Sequence, residues 1–206
     1  MSFTRTDSDF GLYVLRENGE VKLLLTVYVD DLLLMSPRAL CTEIAASHRG
    51  TFELTTMGTV KYLLGVEIMI NQTNRQKPET VCTGGVVLGM LKRFHMENCN
   101  GCATPEATTP SKADVPATTN YLPYRELVGA LQYLVMASRP DIGHATRHLG
   151  KYLSTHDHMH YAQAKRVLRY LKSKCDFGLV MAVKLRTDVQ ICSYSDADYA
   201  NDSVDR

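Results

Sequence analysis

The chain has 206 residues and a formal net charge of +1, with 45% hydrophobic and 22% charged residues. That composition excludes wholesale disorder, and the length suffices for one large or two small cores. No apolar run approaches the ~20 residues of a membrane span, and the polar, mixed-charge start MSFTRTDSDF lacks signal-peptide character, so a soluble intracellular chain with no membrane partner is expected.

In chain order, FGLYVLR (10–16) and VKLLLTVYV (21–29) read as strands joined through Asn18-Gly19, a pair suited to positive φ in a tight turn. A third apolar stretch, Leu32 to Met35, follows two aspartates. Residues 38–49 read as a short helix with Leu40, Ile44 and Ala45 inward, and Phe52 to Leu54 and Tyr62 to Ile70 as further strands. Residues 71–79 read as an exposed turn, and VCTGGVVLGMLKRF as a glycine-broken stretch passing into a helix. The segment 103–123 holds four of the seven prolines and reads as a linker.

Beyond it the pattern turns helical. Tyr124, Leu127, Val128, Leu131, Leu134 and Val135 recur at helical spacing until Ser138-Arg139-Pro140 breaks it. A helix from about Asp141 to Leu153 would bury Ile142, Ala145, Leu149 and Tyr152, and one over roughly 160–173 would bury Ala164, Val167, Leu168 and Leu171. On the latter, Lys165, Arg169 and Lys172 fall at i, i+4, i+7 and form one basic stripe, next to Arg166. VQICSY (189–194) reads as a strand entering an acidic segment.

Charge is unevenly distributed. Between 120 and 175 there are nine Lys/Arg against three acids, an excess of +6 that leaves −5 for the rest, and five of the seven histidines lie in the same window. Such asymmetry fits a polyanion-facing surface or a solvated helix face. Cys99 and Cys102 form a C-x-x-C pair without a second pair to complete a zinc set, and scattered cysteines in a chain without a secretion signal read as reduced thiols. His156, His158 and His160 alternate, a poor geometry for zinc, and read as surface or phosphate contacts.

The sharpest feature is Tyr28-Val29-Asp30-Asp31 between LLLTV and LLLM. Adjacent carboxylates among strand formers are costly unless water, hydrogen bonds or a cation neutralises them. On a regular strand they would point to opposite faces, whereas at a hairpin tip both can approach one site. Carboxylates so placed suit Mg²⁺, which prefers oxygen ligands and shares its shell with phosphates. A solvated Asp-Asp turn is the plain alternative.

The wider context resembles the reverse transcriptase region of copia-type retrotransposon Pol polyproteins. The resemblance is carried by LLLTVYVDDLLLMS (23–36), KYLLGVEI (61–68), LKRFHMENC (91–99), YRELVGALQYLVMASRPDI (124–142), HMHYAQAKRVLRYLK (158–172) and YSDADYANDSVDR (194–206). It implies an α+β fold: a partial palm with a Tyr-Val-Asp-Asp hairpin and a primer-grip-like strand in 1–72, and the start of the thumb with a Pro/Thr-rich linker in 73–120. A helical basic thumb or connection would occupy 121–187, and a truncated RNase H start with one strand 188–206.

The resemblance further implies catalytic, metal-binding roles for Asp30 and Asp31 in polymerisation and for Asp196 in RNase H, with Mg²⁺ or Mn²⁺ as cofactor. Tyr28, Val29, Lys165, Arg166, Arg169 and Lys172 would contact nucleic acid, and Leu64, Gly65 and Glu67 would stand at the primer-grip-like strand. Template–primer of RNA or DNA and deoxynucleoside triphosphates would be the partners. Because 29 residues precede Asp30 and ten follow Asp196, each active site is expected to be partial and the chain alone inactive. FELTTMG (52–58) and CTGGVVL (82–88) depart from the family pattern, the first losing a Lys and an Asp. The alternative expectation is a non-catalytic nucleic-acid-binding remnant or the product of a decayed element.

Overall fold

The computed structural model describes residues 2–70, 79–107, 122–181 and 192–195. Its first unit is an antiparallel meander of β1 (Phe3–Arg5), β2 (Leu12–Glu17), β3 (Glu20–Tyr28) and β4 (Asp31–Met35), in that spatial order. Asn18 and Gly19 adopt φ of 52° and 82°, the two left-handed residues that the tight β2–β3 turn requires. Helix α1 (Arg38–His48) covers one face, where Leu15, Leu23 and Ile44 form a small core flanked by Leu25, Leu34 and Leu40. The alternation Leu23, Leu25 on β3 supplies that face, as a period of two demands.

A second antiparallel sheet contains β5 (Tyr62–Leu63), β6 (Val66–Met69), β7 (Glu79–Cys82) and β8 (Gly178–Met181) in that order. Two expectations are corrected here. Tyr62 to Ile70 is a hairpin rather than one strand, because Leu64 and Gly65 take φ of 51° and 80° and reverse the chain, pairing Leu63 with Val66. Phe52 to Leu54 forms no strand: Phe52 N–H bonds back to His48 O at 2.9 Å, continuing the end of α1, and no described strand pairs with the segment. Strand β8 was not legible as a strand. It pairs with β7 across the whole helical region, and Gly178 lets the backbones meet, since a Cβ there would lie 2.5 Å from Val81 O.

The helical body comprises α2 (Gly84–Arg93), α3 (Tyr124–Ala137), a 3₁₀ turn (Pro140–Ile142), α4 (Gly143–Gly150) and α5 (His158–Ser173). Leu127, Leu131 and Leu134 of α3 and Ala164, Leu168 and Leu171 of α5 are completely buried with Val87 and Ile142 in one core, the larger of the two. At about 1.5–3 kcal/mol for each large apolar side chain removed from water, this core dominates the hydrophobic stabilisation. The expected helix from Asp141 to Leu153 is shorter, since Pro140 begins a 3₁₀ turn and only Gly143 to Gly150 is α-helical. Tyr152 lies beyond it, half-buried. Of the expected strand at 189–194, only 192–194 are described, and they carry no regular structure; Asp196 lies outside the described residues, as do 71–78 and 108–121.

Ser138-Arg139-Pro140-Asp141 does more than stop a helix. Arg139 is 1% exposed and sends Nε and Nη2 to the two carboxylate oxygens of Asp141 at 2.9 and 2.8 Å, while Nη1 donates to Lys174 O at 2.9 Å. Tyr170 Oη donates to the same carboxylate at 2.9 Å. Beside this, Ser138 and Thr83 share a buried hydroxyl hydrogen bond of 2.8 Å that joins the end of α3 to the start of α2. Burial alone would raise the pKa of Asp141, but the hydrogen bonds from Arg139 and Tyr170 and the Arg139 charge outweigh it and hold the carboxyl below its ordinary value.

Asp141→Ala strands a buried guanidinium and is expected to lower stability by about 3 kcal/mol, read as a lower urea midpoint at pH 7. Because the folded-state pKa is depressed, its contribution is complete above the unfolded carboxylate value near ~4 and is lost as pH falls through the lower folded value. Asp141→Asn should therefore flatten the acid limb of the stability profile below about pH 4, a change read by urea titrations at successive pH values.

Candidate functional site

Tyr28 pairs with Asp31 across the β3–β4 ladder, which leaves Val29 and Asp30 as a two-residue turn. Both aspartates are exposed, so they stand in water rather than in the strand interior where they would need burial partners. Val29 has φ of 51°, a left-handed conformation that a β-branched residue disfavours, and it is 83% exposed. No burial of Val29 offsets that strain. Tyr28 is exposed on the same tip.

The tip offers hard oxygen donors of the kind Mg²⁺ or Mn²⁺ takes. The described residues nonetheless assemble no group of three or more His, Cys, Asp or Glu able to hold a metal. Among the described residues, Asp30 and Asp31 are thus two exposed carboxylates with no further His, Cys, Asp or Glu grouped beside them.

Leu64 and Gly65 form the β5–β6 turn, and Glu67 follows on β6 opposite Cys82. Cys82 Sγ donates to Glu67 Oε2 at 3.5 Å, and burial pushes the Cys82 thiol pKa up. The turn is pinned from outside: Tyr133 Oη of α3 donates to Leu64 O, and a Cβ at Gly65 would meet that hydroxyl at 3.2 Å. Tyr133 was not singled out from the sequence. It belongs to the VGALQYL segment, but no spacing rule connects it to a turn 69 residues away.

The three cations of the basic stripe and the adjacent Arg166 lie on α5 and are half-buried. Lys172 Nζ donates to Glu97 O and Cys99 O, Arg169 Nε to Asn100 O at 2.8 Å, and Arg166 Nη2 to Thr104 Oγ1 at 3.0 Å. Lys165 Nζ sits 5.2 Å over the Tyr161 ring. Three of the four heads thus fasten the strap 97–104 across α5. Cys99 and Cys102 belong to that strap, both are free thiols, and Cys102 Sγ contacts Arg166 O at 3.5 Å.

The histidines divide by environment. His156 stacks on Tyr124 with ring centroids 4.6 Å apart, and Tyr124, wholly buried with its hydroxyl on Leu149 O, has its pKa pushed up to about 12 by burial. His160 tilts over Tyr152 at 4.0 Å and completes a capping box with Asp157, whose Oδ1 accepts the His160 N–H at 3.0 Å. That backbone hydrogen bond, first among several causes, lowers the Asp157 pKa. His158 is exposed. These residues start and brace α5.

The aspartate turn, the Leu64–Gly65 turn and the basic helix therefore lie on three different elements, two of them tied together through α3. Residues 1–108 match the reverse transcriptase (RNA-dependent DNA polymerase) family. The chain belongs to that family, in the form found in copia-type retrotransposon Pol polyproteins. The whole chain aligns at 32% identity with the retrovirus-related Pol polyprotein from transposon RE2 of Arabidopsis thaliana, covering 14% of it. It aligns at 26% identity with that from transposon TNT 1-94 of Nicotiana tabacum, covering 16%. An uncharacterized mitochondrial protein of Arabidopsis thaliana, AtMg00810, is 30% identical over 86% of this chain and 72% of its own length. The chain thus spans about a sixth or less of the Pol polyproteins it matches. No solved structure matches it. No helix among the described residues is long and apolar enough to cross a membrane.

Replacing Val29 with glycine removes the left-handed strain at some cost in chain entropy, and Val29→Gly is expected to stabilise the chain by up to about 1 kcal/mol. The urea midpoint should rise with an unchanged slope, although the substitution deletes a side chain.

Proposed function

We propose that this reverse-transcriptase-family chain supplies the aspartate hairpin and the helical body of a retrotransposon polymerase, acting on a template–primer of RNA or DNA and deoxynucleoside triphosphates. The observation that carries the reading is the turn at 28–31, two exposed carboxylates presented by a strained valine that has no packing reason to be there. In this reading residues 1–72 are part of a palm, 73–120 the start of the thumb and a linker, 121–187 the helical thumb or connection, and 188–206 the beginning of RNase H.

Asp30 and Asp31 would ligate Mg²⁺ or Mn²⁺, which supplies Lewis-acid stabilisation of phosphoryl transfer when bound. Tyr28 and Val29 would border the primer terminus. The Leu64–Gly65 turn and Glu67 would position the primer strand, with Tyr133 holding that turn. Asp196 would belong to the RNase H site. The basic residues of α5 would meet the phosphate backbone, where positive charge rather than shape provides affinity. Among the described residues no further carboxylate stands beside these two, and two do not complete a polymerase metal shell, so the chain by itself is assigned template–primer binding without nucleotide incorporation.

Extension of a primed template with Mg²⁺ or Mn²⁺ should give no incorporation above a blank, and measurable incorporation abolished by Asp30→Asn would overturn that assignment. Binding of the same template–primer should weaken steeply with salt, survive Asp30→Asn, and fall several-fold when cationic side chains of α5 are neutralised. Binding that is insensitive to both salt and α5 would remove the nucleic-acid role. If no binding occurs at any salt, the reading of this chain as a template–primer module fails.

A further inference from the structure

The end of the first sheet at which the aspartates leave also holds a group of exposed apolar side chains. β3 finishes there at Tyr28, β1 finishes there at Arg5, and the loop 6–11 that joins β1 to β2 lies at the same end. Gly11 O accepts the Val27 N–H at 2.8 Å, so Phe10 and Tyr28 are the next residues outward on their two chains. Phe10 is 69% exposed, Tyr28 60% and Val29 83%, which places three large side chains in water at one end of one sheet. A single exposed apolar residue is ordinary, whereas a group of them marks a surface that meets another molecule.

Phe10 is fixed in that position. Leu12 N–H closes the turn on Asp9 O at 3.1 Å, and Asp9 Oδ1 accepts the Gly11 N–H at 2.8 Å. Thr6 Oγ1 donates to Asp9 O at 2.8 Å from across the loop. Glycine at position 11 lets the turn press on β3, since a Cβ there would stand 2.9 Å from Val27 O. The Arg5 guanidinium lies 4.7 Å from the centroid of the Phe10 ring and takes one of its faces, which leaves the other to solvent. A ring held in this way loses little freedom when a second flat group stacks on it.

The charge around the ring selects the flat group. Asp7 and Asp9 stand on the same loop against one cation, Arg5, so a phosphate gains nothing there, in contrast to α5. A nucleobase is neutral, and its π-face stacks on an aromatic ring whatever the sequence. Bases inside a duplex already have both faces covered, so the ring matches a base outside a pair.

We infer that Phe10, backed by Arg5, is a stacking platform for an unpaired nucleobase at the aspartate end of the first sheet. The inference rests on the template–primer reading and adds a base contact to its phosphate contacts and carboxylates. The base comes from a template overhang or from a deoxynucleoside triphosphate, and the experiment separates the two.

The test uses the full chain with two fluorescein-labelled RNA–DNA duplexes, one blunt and one whose template overhang begins with 2-aminopurine. Anisotropy across a salt series gives affinities, and 2-aminopurine fluorescence reports stacking. Phe10→Ala should weaken binding of the overhang duplex by about five-fold or more and leave the blunt duplex unchanged. The slope of log K against log salt should stay that of the parent chain, because no phosphate contact is lost. The parent should quench the overhang 2-aminopurine, Phe10→Ala should not, and Phe10→Tyr should restore the quenching. Circular dichroism and the urea midpoint of Phe10→Ala should match the parent, since the side chain is exposed. Quenching of free 2-aminopurine deoxynucleoside triphosphate but not of the overhang, again lost in Phe10→Ala, upholds the platform and makes the nucleotide its ligand.

Equal overhang binding by the parent and Phe10→Ala, with neither probe quenched, overturns the platform and leaves the template–primer reading on α5. A loss shared by the blunt duplex, or one accompanied by a shallower salt slope, overturns it too. If neither duplex binds, the template–primer reading fails, and the platform stands or falls with quenching of the free nucleotide.

Discussion

The helical body is organised around one buried cation. Arg139 is an expensive residue to place at 1% exposure, and the surrounding chain is arranged to satisfy it. Asp141 two residues later accepts a two-point interaction, Lys174 at the end of α5 contributes a carbonyl, and Tyr170 completes the carboxylate's shell. These contacts decide where α3 ends, where α5 ends, and where the chain exits toward β8. Holding that exit positions β8 as the edge strand beside β7 in the second sheet. Ser138 and Thr83 add the link back to α2. The Ser138-Arg139-Pro140-Asp141 segment is thus accounted for by packing.

Three two-residue turns illustrate how local strain and function separate. Asn18-Gly19 and Leu64-Gly65 both carry two left-handed residues and both place glycine second, where it relieves the conformation. Val29-Asp30 has no glycine and places a β-branched residue in the left-handed region. The first two turns serve register. The third departs from ordinary turn chemistry at the point where two carboxylates leave the sheet, and that departure is the support for the proposed site.

The basic helix shows why charge counting is a partial guide. Helical periodicity places Lys165, Arg169 and Lys172 on one face, and they are on one face. That face is covered over much of its length by the strap, whose carbonyls take up Lys172 and Arg169 and whose Thr104 hydroxyl takes up Arg166. A cation directed at a backbone carbonyl still contributes to the potential around the helix but is less available to a ligand. The alternating histidines are likewise structural at two of three positions, bracing Tyr124 and Tyr152.

What the sequence by itself determined is local and periodic. The first hairpin, α1, α2, α3 and α5, most of the core, and the aspartate turn all follow from alternation, 3.6-residue spacing and turn chemistry, because each depends on residues close together in the chain. What only the tertiary structure decided involves distant partners. The break at Leu64-Gly65 needed the pairing of Leu63 with Val66, β8 needed β7 nearly 100 residues earlier, and Tyr133 acquired its role from a carbonyl 69 residues away. The engagement of α5 by the strap belongs to the same class. Such contacts depend on which surfaces meet after the helices pack, and a linear pattern records the surfaces without recording the meeting.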